Sequence, residues 1–260
     1  MHGSYLLVAV SALTLNSSDP TQNNLPITGT FGLFQFITGS AGFSWRDRTF
    51  LLQPAACSGG THVEKTKTCT NQWFAHFGWN RSFNRSFTST APSFFDYAKA
   101  VDLVQLSYGA RGVDLICGYN EEFKKCLGAS IMKTNPTCLS PVSFAQMYGM
   151  NDRNASLFSA DLKIRNYECV NRNVTVENMS CMHSRSHVDA LVSCVREARE
   201  SMGGGVDECT AHSRFVICAE NHYVDCGPDA RDSICDMTVL FLNTIAPSCR
   251  DQLPLCGAIR

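Results

Sequence analysis

Fourteen cysteines constrain this chain more than any other feature: Cys57, Cys69, Cys117, Cys126, Cys138, Cys169, Cys181, Cys194, Cys209, Cys218, Cys226, Cys235, Cys249 and Cys256. None falls before residue 57, and none pairs with another as C-x-x-C. The closest two, Cys249 and Cys256, have six residues between them, whereas zinc sites draw on thiolate pairs about two to four residues apart. An even count without metal spacing reads as a disulfide framework of seven bridges, each contributing roughly 2–4 kcal/mol when unstrained. No metal and no cofactor is expected, and a cysteine nucleophile, which needs a free thiolate beside a base, is not expected either.

Cysteine parity divides the chain. A cut in the cysteine-free gap 139–168 leaves five cysteines before and nine after, both odd, so a bridge must then cross it. Past Cys169 the counts become six and eight, and two closed sets are allowed. The chain is therefore divided into a signal peptide at 1–15, an irregular Gly/Phe-rich segment at 16–56, and two cysteine-rich helical modules at 57–169 and 170–260. One domain stapled across the gap is the alternative.

The signal peptide rests on YLLVAVSALTL (residues 5–15), uncharged, followed by small residues at cleavage spacing and too short to cross a bilayer as a helix. No membrane span is expected elsewhere. Six Asn-x-Ser/Thr acceptors, at Asn16, Asn80, Asn84, Asn154, Asn173 and Asn178, are roughly twice the number expected by chance. Together with the cysteines they place the protein outside the cell, secreted and N-glycosylated at Asn80, Asn84, Asn154, Asn173 and Asn178. The tandem NRSFNRSF at 80–87 has two isolated arginines rather than a basic patch. With 22 Lys and Arg against 23 Asp and Glu, the net charge of -1 argues against nucleic acid as a partner.

Fold class reads as mainly α, a disulfide-rich helical array, with an irregular or strand-containing N-terminal segment. A helix from Ser186 as cap carries Val188, Leu191, Val195 and Ala198 on one face and ends at Gly203–Gly205. Asp207 caps a second with Val216, Ala219 and Tyr223 inward, and a third starts at Pro228 with Ala230, Ile234, Met237, Phe241 and Ile245 inward. Ser93 and Asp96 form a capping box before another helix, which Gly109 stops. GVDLIC…C (from Gly112) and GVDEC…C (from Gly205) each carry two cysteines nine apart, Cys117/Cys126 and Cys209/Cys218. Nine residues turn a helix through about 900°, so the two sulfurs leave opposite faces and bridge to a neighbour on each side. Internal duplication into two related halves and helical coincidence account for this echo equally well.

Candidate chemistry is sparse. His183 and His187 are four apart, but a cap at Ser186 leaves His183 outside the helix, and a solvated polar turn is expected instead of a metal pair. Glu121, Glu122 and Asp225 are acids without a selecting spacing, and no nucleophile elbow or phosphate loop occurs. The aromatic run from Trp73 to Phe95 is expected in the core rather than as a sugar platform. Ser58-Gly59, the one Ser-Gly dipeptide, reads as a turn rather than a glycosaminoglycan site.

ICGYNEEFKKCLG (residues 116–128) and FVICAENHYVDCGPDARDSIC (residues 215–235) resemble the chondroitin proteoglycan 4 type domain of nematode secreted proteins, over roughly residues 69–249. The resemblance implies a helical, disulfide-bonded extracellular domain without catalytic residues, of the kind found in matrix and eggshell-like proteins. The chain lacks the clustered Ser-Gly sites of a chondroitin carrier. The expected function is non-enzymatic, structural or binding, in extracellular matrix or fluid, with an extracellular protein or carbohydrate as partner. Its rivals are a secreted hydrolase or sugar-processing enzyme, marked by acids or a His–acid pair converging in a cleft, and a protease inhibitor or receptor ligand presenting a clamped loop at Cys57–Cys69.

Overall fold

The computed structural model describes residues 57–79 and 91–256. The expected signal peptide, the Gly/Phe-rich segment and the acceptors Asn80 and Asn84 lie outside those residues. Within them the protein is helical and contains no strand. Nine α-helices follow in order: α1 (Gly60–His76), α2 (Phe94–Tyr108), α3 (Ala110–Ala129), α4 (Pro141–Tyr148), α5 (Asp152–Val170), α6 (Arg172–Met182), α7 (Arg185–Gly203), α8 (Glu208–His222) and α9 (Pro228–Ile245). A π-turn (Ser130–Thr134) and a 3-10 turn (Pro136–Leu139) join α3 to α4. Further 3-10 turns (Val224–Cys226, Pro247–Gln252) flank α9.

Local chemistry sets most of the boundaries. The Ser93 hydroxyl accepts the Asp96 N–H and donates to the Asp96 carboxylate, closing the box that starts α2. Asp207 accepts the N–H groups of Cys209 and Thr210 at the start of α8, and Pro228 occupies the first turn of α9. Gly109 ends α2 at φ 54° and α3 begins at once, so the two helices form a tight hairpin. At Gly112 a Cβ would lie 2.4 Å from the Val104 carbonyl oxygen, so only glycine permits that approach.

One expected cap moves. Ser184, not Ser186, precedes α7, and Ser186 lies inside its first turn. The Ser184 hydroxyl sits 2.6 Å from His187 Nδ1, so the imidazole takes the hydroxyl that the first-turn backbone would otherwise hold. The expected clamped loop at Cys57–Cys69 is also corrected: its two cysteines bond elsewhere, and most of the segment is the first three turns of α1.

All fourteen cysteines are paired. Cys57–Cys138, Cys69–Cys126 and Cys117–Cys169 close one set. Cys181–Cys226, Cys194–Cys218, Cys209–Cys249 and Cys235–Cys256 close the other. No bridge joins the two sets. Numbered along the first set, the pairs are one–five, two–four and three–six. Once the Cys235–Cys256 bridge is set aside, the second set has the same order. Six cysteines can be joined in fifteen ways and any of four bridges could be set aside, so coincidence would give this agreement up to about four times in fifteen.

The nine-residue steps carry the shared pattern. In α3, Cys126 reaches back to α1 and Cys117 forward to the end of α5. In α8, Cys218 reaches back to α7 and Cys209 forward to the turn after α9. Each of these helices is stapled on opposite faces to two neighbours, as the spacing predicts. Both sets also place a 3-10 turn holding the fifth cysteine just before a proline-started helix, Pro141 in one and Pro228 in the other.

Although the bridges stay apart, the apolar core is continuous. One cluster of buried residues runs from Cys69, Trp73 and Phe74 through Phe158 and Ile164 to Val216, Ile234 and Phe241. Helix α5 is its hinge piece, packing on α4 and α3 on one side and on α9 on the other. Trp73, Phe74, Phe77 and Phe94 from the aromatic run are buried, as expected of core residues.

Candidate functional site

Two polar features lie on α5, and both arise from its starting signal. Asn151 accepts the Asn154 N–H, and Asp152 occupies the first turn, where a negative charge suits the helix dipole. From that start the helix turns one face into the core and a second toward solvent.

The core face holds a buried ionic network. The Arg165 guanidinium donates to Asp161 (3.2 Å), Glu168 (2.8 Å) and the Gln105 carbonyl (3.3 Å). The Tyr97 hydroxyl donates to Asp161 (2.7 Å) and accepts from the Trp73 indole (2.9 Å). Every one of these side chains is buried. Burial alone would lower the Arg165 pKa, but Glu168, Asp161 and Asp102 outweigh it and raise it, so the cation is held firmly. Burial pushes the Glu168 carboxyl up despite its arginine partner, and pushes the Tyr97 phenol well up, helped by Asp161. The network lies in the core, with Arg165 Nη2 left without a hydrogen-bond partner and Glu168 at the edge of a small cavity.

Beside it lies a small cavity of about 40 Å³ lined by Glu168, His183, Tyr223 and apolar side chains. His183 Nδ1 is buried there without a hydrogen-bond partner. Burial first, and then the Arg165 charge, bring the His183 pKa down to about 4. His183 lies in the expected turn after α6 but is half-buried rather than solvated, with its imidazole neutral near pH 7. His187, on α7, instead faces the Cys181–Cys226 bridge, with Nε2 3.6 Å from Cys226 Sγ. The two histidines do not form a metal pair. A cavity of this size holds about one water, so its His–acid pair offers no substrate site.

The solvent-side face of α5 floors a much larger groove, of about 710 Å³. Ser159, Leu162, Lys163, Asn166, Tyr167 and Val170 recur along it at helical spacing. One wall comes from α9 and the turn after it, through Leu240, Asn243, Thr244 and Pro247. The other comes from Phe123 of α3 and from Met132, Pro136 and Leu139 of the connecting turns. The groove therefore lies where the two disulfide sets meet. Its size falls in the usual range for small-molecule sites, about 300–1,000 Å³.

Its charge is one-sided. Two lysines line it and no carboxylate does. Lys124 is paired with Glu121 at 2.7 Å. Lys163 has no ion-pair partner among the described residues, and its ammonium donates to the Thr244 hydroxyl at 2.9 Å. Burial, and then the nearby Arg250 charge, lower its pKa. Tyr167 is committed outward, donating to Asp236 at 2.8 Å. Asn243 Oδ1 is buried without a partner.

The other expected residues scatter. Glu121 and Glu122 are exposed and bound to Lys124 and His76, and Asp225 is exposed on a 3-10 turn, so these acids do not converge. Ser58 and Gly59 form an exposed bend, Gly59 at φ 89°, just before α1. Of the described glycan acceptors, Asn173 is exposed, while Asn154 and Asn178 are half-buried. The Asn178 amide nitrogen donates to the Val174 carbonyl. The groove residues went unread in the sequence because α5 itself did. Its signal, Asn151-Asp152 followed by the stripe from Ser159 to Val170, is present there. No family model, curated protein or solved structure matches this chain. None of the described helices is long and apolar enough to cross a membrane.

Proposed function

We propose that this is a secreted, N-glycosylated, non-enzymatic binding protein of extracellular matrix or fluid, which takes an apolar ligand in the groove between its two disulfide sets. The groove carries the reading: it is the right size for a ligand, it is walled by apolar side chains, and it is lined by no acid. Seven bridges support an oxidising compartment, and the exposed Asn173 supports glycosylation there. The cysteine spacing that resembles the chondroitin proteoglycan 4 type domain supports the same setting, and the single Ser-Gly dipeptide argues for the domain type without its glycosaminoglycan chains.

For the enzyme reading, the ion pairs His76–Glu122 and His212–Glu208 line neither cavity described above, and the cavity that Glu168 and His183 share is too small for a substrate. With every cysteine bonded, no thiolate nucleophile stands in for it.

An environment-sensitive apolar dye tests the groove. Saturable binding to the native protein is expected, weakened about tenfold or more by Leu240→Trp, which fills the α9 wall at a half-exposed position. Equal dye binding by a folded L240W variant would sink this reading.

A further inference from the structure

The polar end of the groove specifies the ligand more narrowly, resting on the reading of the groove as a ligand site. We propose that it binds a free long-chain carboxylate, with the hydrocarbon along the apolar walls and the carboxylate on the Lys163 ammonium.

Lys163 supplies the first argument. Its side chain is exposed at the groove, and its ammonium donates to a single hydroxyl, that of Thr244, with no ion-pair partner among the described residues. Arg250 adds positive charge nearby instead of balancing it. An arriving carboxylate restores the missing counter-charge and accepts a charge-assisted hydrogen bond from Nζ.

The neighbouring donors set the charge of the ligand head. Beside Lys163 the groove is lined by the amides of Asn166 and Asn243 and by Thr244, whose hydroxyl donates to the Leu240 carbonyl, and no arginine lines it, Arg250 lying outside. Dianionic phosphate is commonly gripped by guanidinium forks, whereas one ammonium among neutral donors balances a single negative charge.

The apolar end fixes the rest. Phe123, Met132, Leu139, Leu162, Val170 and Leu240 offer hydrocarbon contact, and Val170 is exposed. A chain lying along them removes that surface from water.

The test displaces the groove dye from the full-length oxidised protein with palmitate, hexadecanol and hexadecyl phosphate. Palmitate should bind about 10- to 100-fold more tightly than hexadecanol, the range a charge-assisted hydrogen bond supplies. Lys163→Met, of similar length and apolar, should keep the thermal unfolding of the natural chain while abolishing that preference, read as the ratio of palmitate to hexadecanol affinity within each protein so that any change in dye affinity cancels. Equal affinity for palmitate and hexadecanol, or an undiminished preference in K163M, overturns the assignment and leaves the groove reading standing. Tighter binding of hexadecyl phosphate than of palmitate overturns the carboxylate. If the dye fails to bind at all, the groove reading falls, and this inference falls with it.

Discussion

The two disulfide sets share a bridge order but are stabilised differently. In residues 57–169 the stapled helices enclose a packed aromatic cluster. Phe74, Phe94 and Tyr97 surround Phe158 with ring centroids 5.1 to 5.2 Å away for three of these contacts. The Arg165 network lies beneath them. In residues 181–256 the buried aromatics thin to Phe215, Tyr223 and Phe241. There the extra Cys235–Cys256 bridge ties α9 to the end of the described chain. The same connectivity thus tolerates two ways of closing a helical layer, one by filling it and one by adding a covalent tie. Small cores need such ties because they bury too little surface to offset chain entropy.

Breaking the filled side should cost most. Arg165→Met leaves Asp161 and Glu168 buried without their counter-charge, and about 3–5 kcal/mol of stability should be lost. Denaturant unfolding measures this, and a variant that also carries Asp161→Asn and Glu168→Gln should recover much of it. Stability unchanged in R165M would mean that the network is incidental to the fold.

Breaking the tied side should cost somewhat less. Replacing Cys235 and Cys256 together by alanine opens a loop 21 residues long, for which the chain-entropy argument gives about 3 kcal/mol. Amide exchange should rise around Leu253 and the end of α9 and stay unchanged in α1 and α2. A uniform rise would show that the two sets unfold as one.

The junction between the two sides is reached by acid. His183 is neutral in the folded protein with its pKa held near 4, whereas in the unfolded chain the imidazole titrates near 6.5. Between these values the unfolded state binds more protons, so stability is fully present above about pH 6.5 and falls as pH drops toward 4. The loss approaches about 3 kcal/mol, to within roughly one pKa unit, and His183→Phe should flatten this part of the pH profile. The Arg165 network is present in both proteins, so the difference between the two profiles isolates the imidazole. An identical slope in H183F would remove His183 as the acid-sensitive group.

What was legible in the chain follows from how local each signal is. Caps at Ser93 and Asp207, the proline start at Pro228 and the opposed faces of the nine-residue steps are encoded within a few residues, and the structure has them. Ser186 misled because Ser184 stands two residues earlier and its hydroxyl engages His187. Helix α5 carries no clean apolar stripe: one face buries Asp161, Arg165 and Glu168, and another puts Lys163 and Asn166 in the groove. Periodicity therefore fails for a physical reason, since each polar residue has a partner or a role that only the tertiary fold supplies. The groove is less legible still, being assembled from residues around 120, 132–141, 159–170 and 240–247.

The separation of the bridges also decides how the protein responds to a cut backbone. Overlapping disulfide loops span every peptide bond from Cys57 to Cys169, and a second series spans those from Cys181 to Cys256. A protease that nicks either stretch leaves the pieces covalently joined, and they separate on a gel only after reduction. Residues 170–180 are the sole part of the described bridged region under no loop, and one cleavage there releases the two sets from each other under non-reducing, denaturing conditions. That stretch is most of α6, and it carries two of the glycan acceptors, Asn173 and Asn178. A sugar chain on either one would stand guard over the one stretch of the described bridged region where a single hydrolysis parts the two sets.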